Sequence, residues 1–324
     1  MSEKPHSADY FGETRDFWWN RDFLELMSVR WDLAKVKKAL DVGCGIGHWG
    51  RCLAPFLPSD CVLMGIDRES RWIEEARKQG AGIENIKVVF QQGEAERLPF
   101  LDNSFDLVTC QTVLIHMKDP VAVIREMMRV LVPGGLLVIV EPNNIATSIS
   151  NIDLKTPISE VIGLLELQLI CERGKMNLGE GFNSAGPCVA GWLSELDIEE
   201  IESYMSDKTS MLLPPYVSAR ERAIIREAGE MSQRNFWIWN REDALRYFLA
   251  GGGIQDAFDA RWSMALARVK ETLSEIQKGT LRDTSAPIIL LVSGRKKMPG
   301  AKANSHRETD GTRMDASQGP QQDS

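Results

Sequence analysis

From Lys38 to Pro142, short apolar runs alternate with stretches whose apolar residues recur every three or four positions. The short runs are bounded by Gly, Asp or Pro and are rich in Val, Ile and Leu, which reads as buried strands. They predict strands at Ala39–Val42, Val62–Ile66, Lys87–Gln91, Phe105–Cys110 and Leu136–Val140. Between them lie a helix carrying Trp49, Leu53 and Phe56, a polar-faced helix over Arg71–Lys78 and a helix over Pro120–Leu131. Strands separated by amphipathic helices specify an α/β fold with a doubly wound, mostly parallel open sheet.

After Pro142 the alternation stops and helical patterns dominate through Gln277. Ile158, Val161, Ile162, Leu165 and Leu169 recur at helical steps, whereas Ile198–Met205 fits a short edge strand or a helix almost equally well. Gly251–Gly253 ends a helix over Arg241–Leu249, because consecutive glycines cost too much backbone entropy to sit inside one. A long helix over Ala257–Gln277 and a final strand over Ile288–Val292 follow. The first thirty residues interleave aromatics with charge and suggest a helical arm, expected to act as a partial lid. Beyond Lys297 nearly every residue is polar, Gly or Pro, the composition of a disordered tail. The expected organisation is an arm or lid at 1–35, a sheet core at 36–145, a substrate-side helical region with a probable edge strand at 146–285, the last strand at 286–296 and a tail at 297–324.

Composition narrows the function. The 324 residues are 43% apolar and 26% charged, enough for a full core and an appended helical region. A net charge of -8 offers no basic surface for phosphates, so neither a nucleic acid nor an anionic membrane is the expected partner. The longest apolar stretch, Val130–Val140, is interrupted by Pro133-Gly134-Gly135 and is too short to span a bilayer. The N-terminus lacks a secretory layout, and the six cysteines form no C-x-x-C pair, so the expectation is a cytoplasmic protein with reduced thiols and no metal cluster.

Asp41-Val42-Gly43-Cys44-Gly45-Ile46-Gly47 falls where a strand turns into a helix and a backbone must bend tightly beside a ligand. Gly45-Ile46-Gly47-His48-Trp49-Gly50 also satisfies the G-x-G-x-x-G pattern of dinucleotide binders, so two nucleotide classes compete here. Asp67, closing the second strand, suits ribose hydroxyls in either class. Three later segments discriminate: Gly93-Glu94-Ala95-Glu96-Arg97-Leu98-Pro99-Phe100, Phe105-Asp106, and Leu131-Val132-Pro133-Gly134-Gly135. In this order the set resembles class I S-adenosylmethionine-dependent methyltransferases, particularly the small-molecule branch near the ubiquinone and menaquinone enzymes, over roughly Ala39 to Pro142. The resemblance implies a Rossmann-like seven-stranded sheet with a helical lid or insertion. It implies S-adenosyl-L-methionine as cofactor, with Gly43, Gly45 and Gly47 lining its amino-acid part, Asp41 ordering the turn, Asp67 at the ribose, Arg68 among the cofactor contacts, Ala95 at the adenine and Gln111 at the methionine portion. Glu94 stands where the family has Asp, a departure that lengthens the adenine contact.

The implied activity is methyl transfer to an O, N, S or C atom of a small molecule by in-line displacement. A sulfonium carbon is already activated, so positioning and desolvation can do most of the work. A base is needed only for a protonated nucleophile. His116 is the candidate base by location, against a packed imidazole. Tyr10, Trp19 and Glu141 are candidate substrate contacts, against packing for the aromatics and a solvated strand end for Glu141. A valine at Gly43 or Gly45 is expected to fill the ligand's space and abolish binding with the fold largely intact. A nicotinamide-dependent Rossmann oxidoreductase and a non-catalytic S-adenosylmethionine-binding protein remain alternatives, and a homodimer stays open.

Overall fold

A computed structural model describes residues 12–150, 152 and 155–300. Tyr10 and the tail from residue 301 lie outside them. The described residues begin with a 3-10 turn, Glu13–Phe17, and helix α1 (Arg21–Arg30), then enter strand β1 (Lys38–Val42). Helix α2 (His48–Leu53), strand β2 (Val62–Asp67), helix α3 (Ser70–Gly80) and strand β3 (Lys87–Gln92) build one wing. Strand β4 (Phe105–Gln111), helix α4 (Pro120–Val130) and strand β5 (Leu131–Pro142) build the other.

Next come α5 (Asn144–Ser150), α6 (Ile158–Asn177), α7 (Gly186–Ser194), β6 (Ile198–Met205), β7 (Ser210–Leu212), α8 (Ala219–Gln233), α9 (Arg241–Ala250), α10 (Gln255–Gln277), β8 (Asp283–Ser285) and β9 (Ile289–Lys296). The main sheet has seven strands in the order β3-β2-β1-β4-β5-β9-β6. β1 to β5 are parallel, and β9 runs antiparallel between β5 and β6. This is the Rossmann-like doubly wound arrangement, with the order reversing between β1 and β4, where ligands bind in open α/β sheets.

The two faces follow from strand periodicity. β1 sends Ala39 to one face and Leu40 and Val42 to the other; β5 divides Leu136, Val138 and Val140 from Leu137 and Ile139 in the same way. Both faces are covered, which is why these strands read as continuous apolar runs. The N-terminal arm covers the first face: Trp19, Phe23, Met27 and Trp31 share one buried cluster with Trp49, Leu107 and Leu136. A separate helical core, built on Cys171, Trp239, Phe248 and Phe258, joins α6, α9 and α10 beside the sheet.

Several boundaries differ from the expectation. Ile198–Met205 is a strand; pairing with β9 decides what its polar edge pattern left ambiguous. β5 starts five residues early, because Leu131 already pairs with Phe105 before the register shifts. Gly294 sits inside β9 without ending it: a Cβ there would stand 2.4 Å from Ile198 Cγ2 on the neighbouring strand, so packing needs the gap. The small β7–β8 ribbon had no apolar alternation to announce it.

Candidate active site

β1 ends in a turn that only small residues can make. Gly43, Gly45 and Gly47 all have positive φ (64°, 51° and 76°), and the backbone amide of Cys44 bonds Ile66 O of β2 at 2.9 Å. Asp67, at the end of β2, closes the turn from the other side, its carboxylate accepting from Gly45 N and Glu69 N, each at 2.9 Å. Asp41 Oδ2 accepts from Gly50 N at 3.1 Å and so ties the start of α2 to β1. Its Oδ1 is buried without a hydrogen-bond partner among the described residues. Burial raises the Asp41 carboxyl to about 7, and it raises Asp67 as well.

These groups open onto one cavity of about 780 Å³, within the roughly 300–1,000 Å³ of small-molecule sites. Its lining includes Asp41, Gly43, Asp67, Arg68, Ala95 and Gln111 from β1, β2, β4 and the turns that follow β1, β2 and β3, which we call the donor half, and His116, Lys175, Glu180, Phe236, Trp237 and Tyr247 from the loop after β4 and the later helical region, which we call the acceptor half. Trp18 lies edge-on to His48, with ring centroids 6.3 Å apart, and carries the Arg15 guanidinium over its face at 4.9 Å. Burial, helped by repulsion from Arg15 and Arg51, pushes His48 down to about 4, so it is neutral at pH 7.

The loop after β4 forms the rim between the halves. Thr112 adopts φ of 55°, a left-handed conformation that costs a β-branched residue on the order of 1–3 kcal/mol. The surroundings hold it there. Thr112 N donates to Val140 O at 2.9 Å and Arg15 Nη2 donates to Thr112 Oγ1 at 3.2 Å. Glu141 Oε1 accepts from Val113 N and Leu114 N at 2.8 and 2.7 Å. Burial pushes the Glu141 carboxyl up to about 8 against the pull of those amides.

The expected site residues divide accordingly. Asp41, Gly43, Asp67, Arg68, Ala95, Gln111 and His116 all line the cavity. Gly45 and Gly47 shape the turn behind it, and exposed Glu94 pairs by its backbone with Arg97 while Gly93, Ala95 and Glu96 face the ligand space. Two substrate assignments are corrected. Trp19, just before α1, is a core residue: its ring stacks on Phe23 and its centroid lies 5.2 Å from that of Trp49, inside the cluster that covers the sheet's first face. Glu141 is fully buried and holds backbone amides, leaving no face for a substrate. The expected effect of a valine at Gly43 also changes: a Cβ there would meet Val113 Cγ2 at 2.5 Å, so a side chain collides with the loop after β4 and the fold does not stay intact.

Residues 40–139 match the family described as "Methyltransferase domain". A demethylmenaquinone methyltransferase of Staphylococcus aureus (strain MRSA252) is 40% identical over 123 residues, which are 38% of this chain and 48% of that protein. The chain therefore matches about half the length of this relative. Among solved structures, YcgJ of Bacillus subtilis is similar at TM-score 0.48 and 19% identity, covering 86% of this chain and 100% of that one. A Haemonchus contortus phosphoethanolamine N-methyltransferase 2, solved with phosphomonomethylethanolamine and S-adenosylhomocysteine, is similar at TM-score 0.45 and 16% identity, covering 86% and 53%.

The cofactor of such a methyltransferase domain is S-adenosylmethionine, and the residues present fit it. The glycine turn supplies backbone without side chains. Asp67 retains a lone pair on each oxygen beyond those the two amides use, which suits a vicinal diol. Asp41, which lines the cavity and keeps one buried oxygen without a hydrogen-bond partner among the described residues, suits an ammonium group.

Arg15, Trp18, Trp72, Lys175 and Asn183 also line the cavity and carried no motif. For Lys175 a signal existed: Gln168, Glu172 and Lys175 are polar residues spaced four and three apart on α6, all buried, in phase with Leu167 and Cys171. Polar residues on the buried stripe of a helix mark a partner or a site.

Proposed function

We propose that this chain transfers a methyl group from S-adenosylmethionine to an O, N, S or C atom of a small molecule by in-line displacement. The observation that carries this reading is the continuity of one cavity from Asp41, Gly43 and Asp67 to a second half of different chemistry, so that a nucleoside-bearing donor and an acceptor meet over the loop at Thr112–His116. When bound, the cofactor would supply an activated sulfonium methyl. Asp67 would hold the ribose hydroxyls, Asp41 the amino group and Ala95 the adenine edge, while Gln111 would face the methionine portion. Trp18, Phe236 and Trp237 line the cavity and would exclude water from the bound acceptor. His116, which lines the same cavity, would take the proton of an acceptor that arrives protonated.

Among the described residues no helix is long and apolar enough to cross a membrane. A cytoplasmic location is supported by six free cysteines, a state that reducing compartments maintain. The test is incubation with methyl-labelled S-adenosylmethionine and an acceptor library that includes demethylmenaquinone, the compound in the relative's name. Label must pass to an acceptor with stoichiometric release of S-adenosylhomocysteine. Cofactor binding without turnover across the library would favour a non-catalytic binder, and binding of NADH alone an oxidoreductase.

A further inference from the structure

A buried ammonium and a half-buried guanidinium grip the loop after β4. Arg15 Nη2 bonds the Thr112 hydroxyl at 3.2 Å, and Lys175 Nζ bonds Ile115 O at 3.0 Å, three residues further on. Lys175 is 1% exposed, yet it lines the cavity. Its other contact is Asn183 Oδ1 at 3.4 Å, so two of the three N–H donors are used and one is unspent among the described residues. Both contacts are to neutral oxygens. No carboxylate among the described residues forms an ion pair with Lys175.

The carboxyl groups around it come from four directions: Glu172 on α6, Glu141 on β5, Glu180 on the following loop and Asp243 on α9. Burial raises Glu141 to about 8 and raises Glu172, which favours their neutral forms. Glu180 is spent on the guanidinium of Arg246 and accepts from Tyr247 Oη at 2.8 Å. Asp243 also pairs with Arg246, at 3.1 Å. Gly181, with φ of 95°, lets the Glu180–Asn183 segment come against Ile115, where a Cβ would meet Ile115 O at 2.2 Å. A buried ammonium held without an ionic partner is costly, and a ligand that brings a negative charge removes the cost.

We propose that Lys175, with Arg15, forms an anion-binding end to the acceptor half of the cavity, and that the methyl acceptor is an oxygen acid bound as its anion: a carboxylate, an enolate or an acidic phenolate. This rests on the methyltransferase reading. Trp18, Phe236, Trp237 and Tyr247 line the same cavity, and their aromatic surface suits a planar or apolar body behind the charged oxygen. An acceptor that arrives as its anion leaves His116 no proton to take. Burial lowers Lys175 to about 8, so the ammonium form holds at neutral pH and is lost just above it.

The experiment measures thermal protection of protein saturated with S-adenosylhomocysteine by benzoate, 4-nitrophenolate and the enolate of 1,3-cyclohexanedione, set against benzamide, nitrobenzene and cyclohexanone, with benzylamine as a cation. The same series is run on Lys175→Met, with Lys175→Gln as a second variant, and S-adenosylhomocysteine affinity reports that each is folded. The expected result is protection by the anions over their neutral counterparts, lost by roughly tenfold or more in affinity in the variants. In the wild type the anion affinity falls as pH rises past about 8, a fall the variants lack. Equal or better binding of neutral compounds or benzylamine, no protection by any anion, or unchanged anion affinity in a folded Lys175 variant overturns the proposal while leaving the methyltransferase reading standing. Failure to bind either S-adenosylmethionine or its demethylated product overturns both.

Discussion

Replacing Gly43 by alanine tests how the turn after β1 is built. The residue has φ of 64°, which costs an alanine on the order of 1–2 kcal/mol in a left-handed conformation. Its Cβ would lie 2.5 Å from Val113 Cγ2 and 3.1 Å from Val113 Cγ1, so the loop after β4 must shift, an overpacking penalty of about 1–3 kcal/mol. Together these predict a loss of roughly 2–5 kcal/mol, read as a lower urea midpoint at constant slope. Val113→Ala removes both colliding methyl groups. The double variant should recover the overpacking part, giving a favourable coupling of about 1–3 kcal/mol, while the backbone part persists. Strictly additive losses would refute this: Val113 would not be what the missing side chain makes room for. Wild-type stability of Gly43→Ala alone would refute the whole reading of the turn.

Glu141→Ala leaves the buried Val113 and Leu114 amides without an acceptor and should cost roughly 2–6 kcal/mol by denaturant unfolding, whereas Glu141→Gln keeps an acceptor and should cost far less. Because burial raises the folded carboxyl from 4.5 to about 8, the native state holds a proton the unfolded chain releases, and stability falls as pH rises through that window. Glu141→Gln should flatten that fall, and an unchanged slope would show that Glu141 is ionised in the native protein. Trp19→Ala should cost about 3–5 kcal/mol in stability with little change in S-adenosylhomocysteine affinity, and Trp18→Ala the reverse; a ligand defect confined to Trp19→Ala would return that residue to the site.

The sheet core was legible because strand and helix periods are local: Ala39, Leu40 and Val42, like the unbroken run Leu136–Val140, declare strands buried on both faces before any partner is known. The donor half was legible for a related reason. Its glycines, Asp67 and Ala95 come from consecutive turns at one end of the sheet, so their spacing along the chain records their meeting in space. The acceptor half is assembled from Arg15, His116, Lys175, Phe236 and Tyr247, brought together by helices that pack from opposite ends of the chain. No spacing encodes that. Glu141 and Trp19 misled because strand-end carboxylates and N-terminal tryptophans look alike whether they face a ligand or a core. Only register and the packing of the N-terminal arm decide it.

The central claim is that the glycine turn and Asp67 hold an S-adenosyl nucleoside. Isothermal titration of the whole chain with S-adenosylmethionine, S-adenosylhomocysteine and NADH, repeated on Asp67→Asn and Asp67→Ala, tests it most directly. The account predicts one-to-one binding of both sulfur nucleosides, no binding of NADH, and a loss of about 1–3 kcal/mol for Asp67→Ala. Heat evolved with NADH alone, or S-adenosylhomocysteine affinity untouched by loss of the Asp67 carboxylate, would contradict it.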